Sequence, residues 1–405
     1  MLIKIAWRNI WRNKVRSLVV IVALALGLWA GTFTSGFYQG MMEQRINSVI
    51  ESEMSHFQVH DTNFRDELLS KYYIAQAKSI QEEIEQDADV VATTGRVIST
   101  AMMGSANKNG AAKLIGINPD EEAQVTKLHS KVTDGAYFEG IKRNPILISQ
   151  KMAESFRLKV KSKVVLTVQN LSGEIVASSF RVAGIYKSGN GMLDEVNAYV
   201  VRNDLQKIMG MQATDYHELA VLLKQHDLAE PVAAKYQERF SSLEVMPWLD
   251  LATGMRYMVE AGSTFAYVIV GIILVALLFS VINTMLMAVM ERTREIGMLM
   301  AVGLNRRKVF LMIMLETLFL SLIGGPLGLL IALLFIQTTG ASGIDLGAVG
   351  ETYNELGFSA VVYPQLDFQS YVNITIMVVV MAIAAAIYPA RKALKLNPSE
   401  AIRKI

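Results

Sequence analysis

The 405-residue chain has no cysteine, only five histidines and only eight prolines. Without cysteine there is neither a disulfide framework nor a thiol metal site. The histidines do not replace one. His56 and His60 fall on one side of a predicted strand, where four residues span about 13 Å, too far for one ion, so a surface pair without function is expected and no metal site is predicted. His217-Glu218 lacks the second histidine of a zinc-protease helix. The glycines and lysines of 104–113 lack phosphate-loop spacing, and no nucleophile stands beside a base. The formal net charge is only +2, and no nucleic-acid partner is expected.

Charge is also missing from long stretches. From Ala261 to Met290 no residue is charged, and from Val309 to Ile344 only Glu316 is. A bilayer core is crossed by about 20 apolar helical residues, so each stretch is long enough. At 52% hydrophobic residues and a mean hydropathy of +0.32, the chain is too apolar for an ordinary soluble protein. Outside residues 41–262, every Lys and Arg falls in one of three clusters. These are Lys4, Arg8, Arg12, Lys14 and Arg16; Arg292, Arg294, Arg306, Arg307 and Lys308; and Arg391, Lys392, Lys395, Arg403 and Lys404. Basic residues beside span ends stay in the cytoplasm, which puts all three clusters on one side.

Four spans satisfy this condition, near 17–39, 263–290, 309–336 and 370–389. Both termini are then cytoplasmic, and 41–262 and 337–369 lie outside. The segment Leu18–Gly36 is long and has no small-x-small cleavage site, so a retained anchor is expected rather than a cleaved signal peptide. The predicted fold is an α-helical membrane protein with four transmembrane helices. A large α+β extracytoplasmic (periplasmic) domain of two lobes lies between the first two. Residues 1–40 hold an interfacial helix and the first span, 263–290 the second, 291–308 a connector and 309–336 the third. A second outer loop follows at 337–369, then the last span and tail at 370–405.

Within 1–16, Ile3, Ala6, Trp7, Ile10 and Trp11 share one helical face and the basic residues largely the other, as in a helix lying in a leaflet interface. Gly27 and Gly31 form a small-xxx-small pair that lets a neighbouring helix approach. In the outer region, Glu67–Gln86 reads as an amphipathic helix and Ala229–Phe240 as another. Strand-like runs lie at Ser55–His60, Val90–Val97, Ile146–Ser149, Val164–Val168, Phe180–Ile185, Asn197–Val201 and Glu218–Leu223. Asn397-Pro398-Ser399-Glu400 offers an N-cap, a first-turn proline and an N3 glutamate for a tail helix.

The connector is the most telling segment. Ile296, Leu299, Met300 and Gly303 recur at helical spacing, and Gly303 suits a helix C-terminus. Such a helix is either a lever fitted to a partner's groove or a loop whose apolar side rests on the bilayer. Glu316, about two turns into the third span, is costly there unless paired or hydrated. It serves either as a polar relay to the connector's arginines or a neighbouring span, or it reaches the headgroups or is simply packed.

The run ERTREIGMLMAVG, followed by NRRKVFLMIMLE and LIGGPLGLL, resembles the ABC transporter permease family that includes MacB, FtsX and the lipoprotein-releasing LolC and LolE. The tail from Pro389 to Arg403 resembles that family's ending. The resemblance implies that Glu291, Arg292, Thr293, Arg294, Glu295, Ile296, Gly297, Leu299, Met300, Ala301 and Gly303 form a coupling helix. That helix would dock on a separate cytoplasmic ABC ATPase of LolD or MacB type. ATP and Mg would then belong to the partner, and this chain would be a non-catalytic subunit binding no cofactor. The resemblance also implies pairing with a second permease copy or paralogue, and a lever stroke passed to the outer domain in a bacterial inner membrane. It implies a membrane-proximal lobe of 41–117 and 213–262 and an inserted lobe of 118–212. The leading expectation is extraction of lipoproteins from the inner membrane. Substrate would enter near Phe33, Phe37, Tyr38, Phe265 and Ile269. MacB-like efflux of drug or peptide and FtsX-like control of a cell-wall hydrolase are the alternatives. The hairpin between Val168 and Phe180 is short and has no proline, unlike a chaperone-grasping hook, which leaves a periplasmic carrier as an open partner.

Overall fold

The computed structural model describes residues 2–355 and 357–394. The tail signal at Asn397–Glu400 and the basic residues Lys395, Arg403 and Lys404 lie outside them. The chain forms two compact units. One comprises the residues up to Met42, Met258–Asp345 and the residues from Val361 on; the other comprises Glu43–Tyr257 and Leu346–Ala360.

Among the described residues, six helices lie wholly or mostly in the first unit: α1 (Leu2–Arg12), α2 (Lys14–Val49), α3 (Thr253–Glu291), α4 (Thr293–Ala301), α5 (Arg306–Ser342) and α6 (Phe368–Leu394). The long helices α2, α3, α5 and α6 carry the apolar runs and are the four membrane helices. All four overrun the predicted spans, most clearly α2, which ends at Val49 rather than 39, α3, which starts at Thr253 rather than 263, and α5, which ends at Ser342 rather than 336. Hydropathy marks only the length that sits in the apolar layer, whereas an established helix extends at one hydrogen bond per residue.

Small residues set the helix packing, because apolar side chains gain little by leaving lipid for one another. The expected pair works in this way. Gly27 meets Leu277 of α3, and Gly31 meets Val270 of α3 and Ile374 of α6. A second pair, which the sequence reading did not single out, seats α5 on α2. A Cβ at Gly324 would stand 3.0 Å from the Ile21 carbonyl oxygen, and one at Gly328 would stand 2.7 Å from that of Ala25. The apolar face of α1 is divided rather than laid wholly outward. Ala6 and Ile10 are buried in the protein, whereas Ile3, Trp7 and Trp11 form an exposed stripe. Trp7 also stands edge-on to Phe319 of α5, with ring centroids 5.7 Å apart.

The second unit is an α/β domain. Its strands are β1 (Phe57–Asp61), β2 (Val90–Gly104), β3 (Asn109–Ile117), β4 (Val132–Gly135), β5 (Pro145–Ser149), β6 (Lys163–Gln169), β7 (Ile175–Tyr186), β8 (Asn197–Val201), β9 (Glu218–Leu223) and β10 (Leu243–Pro247). They run in the order β10-β1-β9-β2-β3-β8-β5-β7-β4, with β6 joined to β2 and β7. The long strand β2 serves both lobes. Val90–Arg96 pairs with β9, and Val97–Gly104 pairs with β3 while its end also pairs with β6. This corrects the lobe boundary expected at 118. Residues 97–117 belong to the inserted lobe, because Val97, Ala101, Met103, Ala112 and Leu114 close the same core as Ile146, Val164 and Phe180.

The helix expected over Glu67–Gln86 is broken. Only Phe64–Glu67 and Ala77–Ile84 are helical. Between them Leu68 and Gln76 take positive φ, and Ile74 pairs with the backbone of Tyr216, which pulls the intervening chain out of helical register. The segment expected as a loop at 337–369 is partly structured. It holds the end of α5, the two-residue strands β11 (Ile344–Asp345) and β12 (Val361–Val362), and a helix at Gly350–Glu355. Within the α/β unit that helix packs on the helix Gly191–Val196.

Candidate functional site

The site is the connector helix α4 and the groups that lock it. Its start is tied by Arg292, whose Nη2 donates to the Asn9 carbonyl oxygen at 2.9 Å and whose Nη1 donates to Glu316 Oε1 at 3.3 Å. Asn9 Nδ2 donates to the same carboxylate oxygen at 2.6 Å. Thus α1, α4 and α5 share one buried polar knot, with Glu316 only 8% exposed. Two further ion pairs flank it, Arg12 with Glu295 and Arg16 with Glu291. A carboxylate inside an apolar helix bundle persists only when paired and hydrogen-bonded, and here both conditions are met.

The far end of α4 is closed by backbone geometry. Leu304 N donates to Leu299 O at 2.9 Å and Gly303 N to Met300 O at 3.1 Å. Gly303 has φ +98°, a conformation that strains any side chain. Asn305 then caps α5, its side chain accepting from Arg307 N at 3.2 Å.

Burial sorts the predicted connector residues into two faces. Ile296 and Gly297 are buried, Ile296 in the same apolar cluster as Val289, Val309 and Ile313. Leu299 and Met300 are half-buried, as are Arg292, Thr293 and Glu295. Glu291, Arg294, Ala301 and Gly303 are exposed. The outward apolar surface is made instead by Met298, 51% exposed, and Val302, 90% exposed. Neither was singled out from spacing. An apolar residue set one position before the terminating glycine was the available signal for Val302. Asn9, Arg12 and Arg16 were also missed as partners, because nothing local couples them to a connector nearly 300 residues away.

Among the substrate-facing candidates, Phe33 and Phe37 lie side by side on α2. Phe33 stacks on Trp29, meets Phe335 of α5 with centroids 5.2 Å apart, and touches Phe37. Tyr38 lies toward α3, its hydroxyl donating to the Met258 carbonyl oxygen at 3.4 Å. Phe265 is exposed and Ile269 half-buried.

A second charged cluster is buried in the α/β unit, where β2 passes from one lobe to the other. Arg96 donates to Glu122 at 2.6 and 3.0 Å and to Glu218 at 2.7 Å, and Glu218 also meets His60 at 3.2 Å. Burial alone pushes the Glu218 carboxyl up, but the His60 hydrogen bond and the Arg96 charge outweigh it and hold the group down at about 2. For Arg96 burial favours the neutral form, and Glu122 and Glu218 outweigh that too, so its pKa is raised. The expectation of surface histidines is corrected here. His56 and His60 are both buried, because each fills a backbone or side-chain hydrogen-bonding need in the core. His56 Nδ1 accepts from Leu223 N at 3.0 Å, and its Nε2 lies 2.9 Å from His226 Nδ1. Burial lowers His56 and His217 to about 4 each, with His226 adding to the shift at His56. Among the described residues, no three His, Asp or Glu side chains gather as a metal site.

The family description "MacB-like periplasmic core domain" matches residues 17–239, and "FtsX-like permease C-terminal" matches 267–398. The lipoprotein-releasing system transmembrane protein LolC of Xylella fastidiosa is 24% identical over 329 residues, which is 77% of this chain and 78% of that protein. The macrolide export ATP-binding/permease protein MacB of Bdellovibrio bacteriovorus is 33% identical over 127 residues, 30% of this chain and 16% of that protein. The crystal structure of the periplasmic region of MacB from Actinobacillus actinomycetemcomitans aligns with a TM-score of 0.37 and 12% identity, covering 53% of this chain and 97% of that one. With one family description covering more than half of its length and a second covering the membrane helices beyond, the chain belongs to the MacB/FtsX/LolC family of ABC transporter permeases.

Proposed function

We propose that this chain is the non-catalytic membrane subunit of an ATP-driven machine that extracts lipoproteins from a bacterial inner membrane. In this reading α4 is the coupling helix. A separate ATPase carrying ATP and Mg docks on its outward surface at Met298 and Val302, and both chain termini are cytoplasmic. The knot of Asn9, Arg292 and Glu316 passes the ATPase stroke to α1 and α5. The α/β domain stands in the periplasm, and a second permease copy or paralogue completes the transporter.

The observation that carries the substrate class is the likeness to LolC, which extends over most of both chains. The turn joining β6 and β7 closes within Asn170–Glu174, so the proposal places no carrier-grasping arm on this chain. Depletion of the chain tests the reading. Lipoproteins should accumulate in the inner-membrane fraction, and normal sorting would remove it. The second reading, MacB-like efflux, draws on the higher local identity to MacB. It predicts normal lipoprotein sorting with increased sensitivity to exported compounds.

A further inference from the structure

Between α1, the end of α3, α4 and the start of α5 lies an open recess of about 660 Å³. Its floor is apolar, formed by side chains such as Met285, Val289, Met312 and Ile313. Lys4, Arg8 and Arg12 line its α1 side, and Glu295 and Glu316 are its acidic members. Both acids are matched, Glu295 by Arg12 and Glu316 by Arg292. Lys4 and Arg8 make no hydrogen bond or ion pair with another described residue, so the recess keeps two uncompensated cations above an apolar floor. On the adjoining stripe of α1, Ile3, Trp7 and Trp11 are exposed. Tryptophan beside basic residues on an amphipathic helix marks the depth of lipid headgroups.

We propose that this recess binds the phosphodiester headgroup of an anionic phospholipid. Lys4 and Arg8 hold the phosphate, and the first acyl carbons lie on Met285 and Met312. Basic pockets between membrane helices suit such headgroups, and this one offers both the charge and the apolar continuation that a free phosphate would not need. Met298 and Val302, the outward residues of α4 on which the ATPase is proposed to dock, also border the recess, whereas Lys4 and Arg8 belong to α1 alone. Because α1 and α4 both line the recess, the lipid would bear on the helices that the polar knot joins.

The test uses the full chain in nanodiscs of phosphatidylcholine alone or mixed with phosphatidylglycerol, followed by detergent stripping and native mass spectrometry of the retained lipid. The wild-type chain should retain phosphatidylglycerol in preference to phosphatidylcholine. K4Q/R8Q should lose that preference roughly 25-fold, at about fivefold per cation removed. K14Q, which changes an exposed cation outside the recess, should leave it intact. If the double variant does not fold, R8Q alone is read in the same assay, with a loss of about fivefold. Equal retention by wild type and variant would overturn the proposal. So would displacement of the lipid by inorganic phosphate, which would make this a free-phosphate site. Photo-crosslinking from position 8 in the assembled transporter should label lipid; a crosslink to the ATPase polypeptide instead would also overturn it.

Discussion

Arg292 Nη1 stands 3.3 Å from Glu316 Oε1, and both side chains are almost withdrawn from solvent. The pair links the N-cap residue of the connector helix α4 to a carboxylate that the membrane would otherwise expel. Removing one partner leaves the other charge buried alone, which costs roughly 3–5 kcal/mol, whereas replacing both with apolar residues of similar volume is often neutral. Glu316→Ala should therefore lower the unfolding midpoint of the purified chain sharply. Arg292→Met with Glu316→Leu should recover most of it. In the assembled transporter, the double variant should fold yet hydrolyse ATP without moving substrate. Normal transport by the double variant would show that the knot is only structural.

The two faces of α4 make separable predictions. Met298→Glu and Val302→Asp alter the exposed surface, so the chain should keep its thermal midpoint while its affinity for the ATPase falls about tenfold or more, the loss expected when a central apolar anchor is truncated. Ile296→Asp places a charge in the membrane-unit core and should prevent stable folding. Pull-down with the partner ATPase, set beside thermal unfolding, checks both outcomes. If Met298→Glu and Val302→Asp bind as wild type does, the docking face lies elsewhere.

How much of this was legible follows from the range of each signal. The spans, the connector and the glycine at its end are local patterns of charge and spacing, and they appear in the structure as α2–α6 and the Gly303 turn. Which side of α4 faces outward was not legible, because Ile296 and Met298 are equally apolar and only the packed neighbours decide. The knot was half legible. Glu316 announced itself as a carboxylate in an apolar run, but Asn9 is 307 residues distant, and no periodicity reports such a contact. The same holds for Arg96, whose partners Glu122 and Glu218 come from different lobes. The break at Leu68–Gln76 was hidden because amphipathic spacing continues through residues that tertiary pairing removes from the helix.

The acid sensitivity of the α/β domain follows from its buried groups. His56 and His217 have folded values near 4, below the ordinary 6.5. The unfolded chain therefore binds protons first, and stability is full above pH 6.5 and falls as pH drops from 6.5 toward 4. The loss is on the order of 3 kcal/mol for each group. Glu218, held down at about 2, adds stability that is present above its ordinary 4.5 and is lost as pH falls toward 2. Tryptophan fluorescence during urea unfolding at pH 7.5, 5.5 and 4 should show a falling midpoint. His217→Phe should flatten the upper part of that profile while leaving the fall below 4.5. A profile unchanged by the substitution would mean that His217 is not a source of the pH dependence.

Glycine contacts in the membrane unit yield the sharpest steric contrast. At Gly328 an added Cβ would meet the Ala25 backbone at 2.7 Å, and a main-chain atom in a helix cannot swing aside as a side chain can. Gly328→Leu should therefore separate α5 from α2. Overpacking a tight core typically costs about 1–3 kcal/mol, and losing a whole helix contact puts this case at the upper end. At Gly271 an added Cβ meets nothing within 4 Å, so Gly271→Ala should be neutral or stabilising by up to about 1 kcal/mol through helix propensity alone. Thermal unfolding of both variants in the same detergent decides the matter. If Gly328→Leu unfolds with wild type, α2 and α5 do not depend on close backbone approach, and the Gly324–Gly328 pair has no role in seating them.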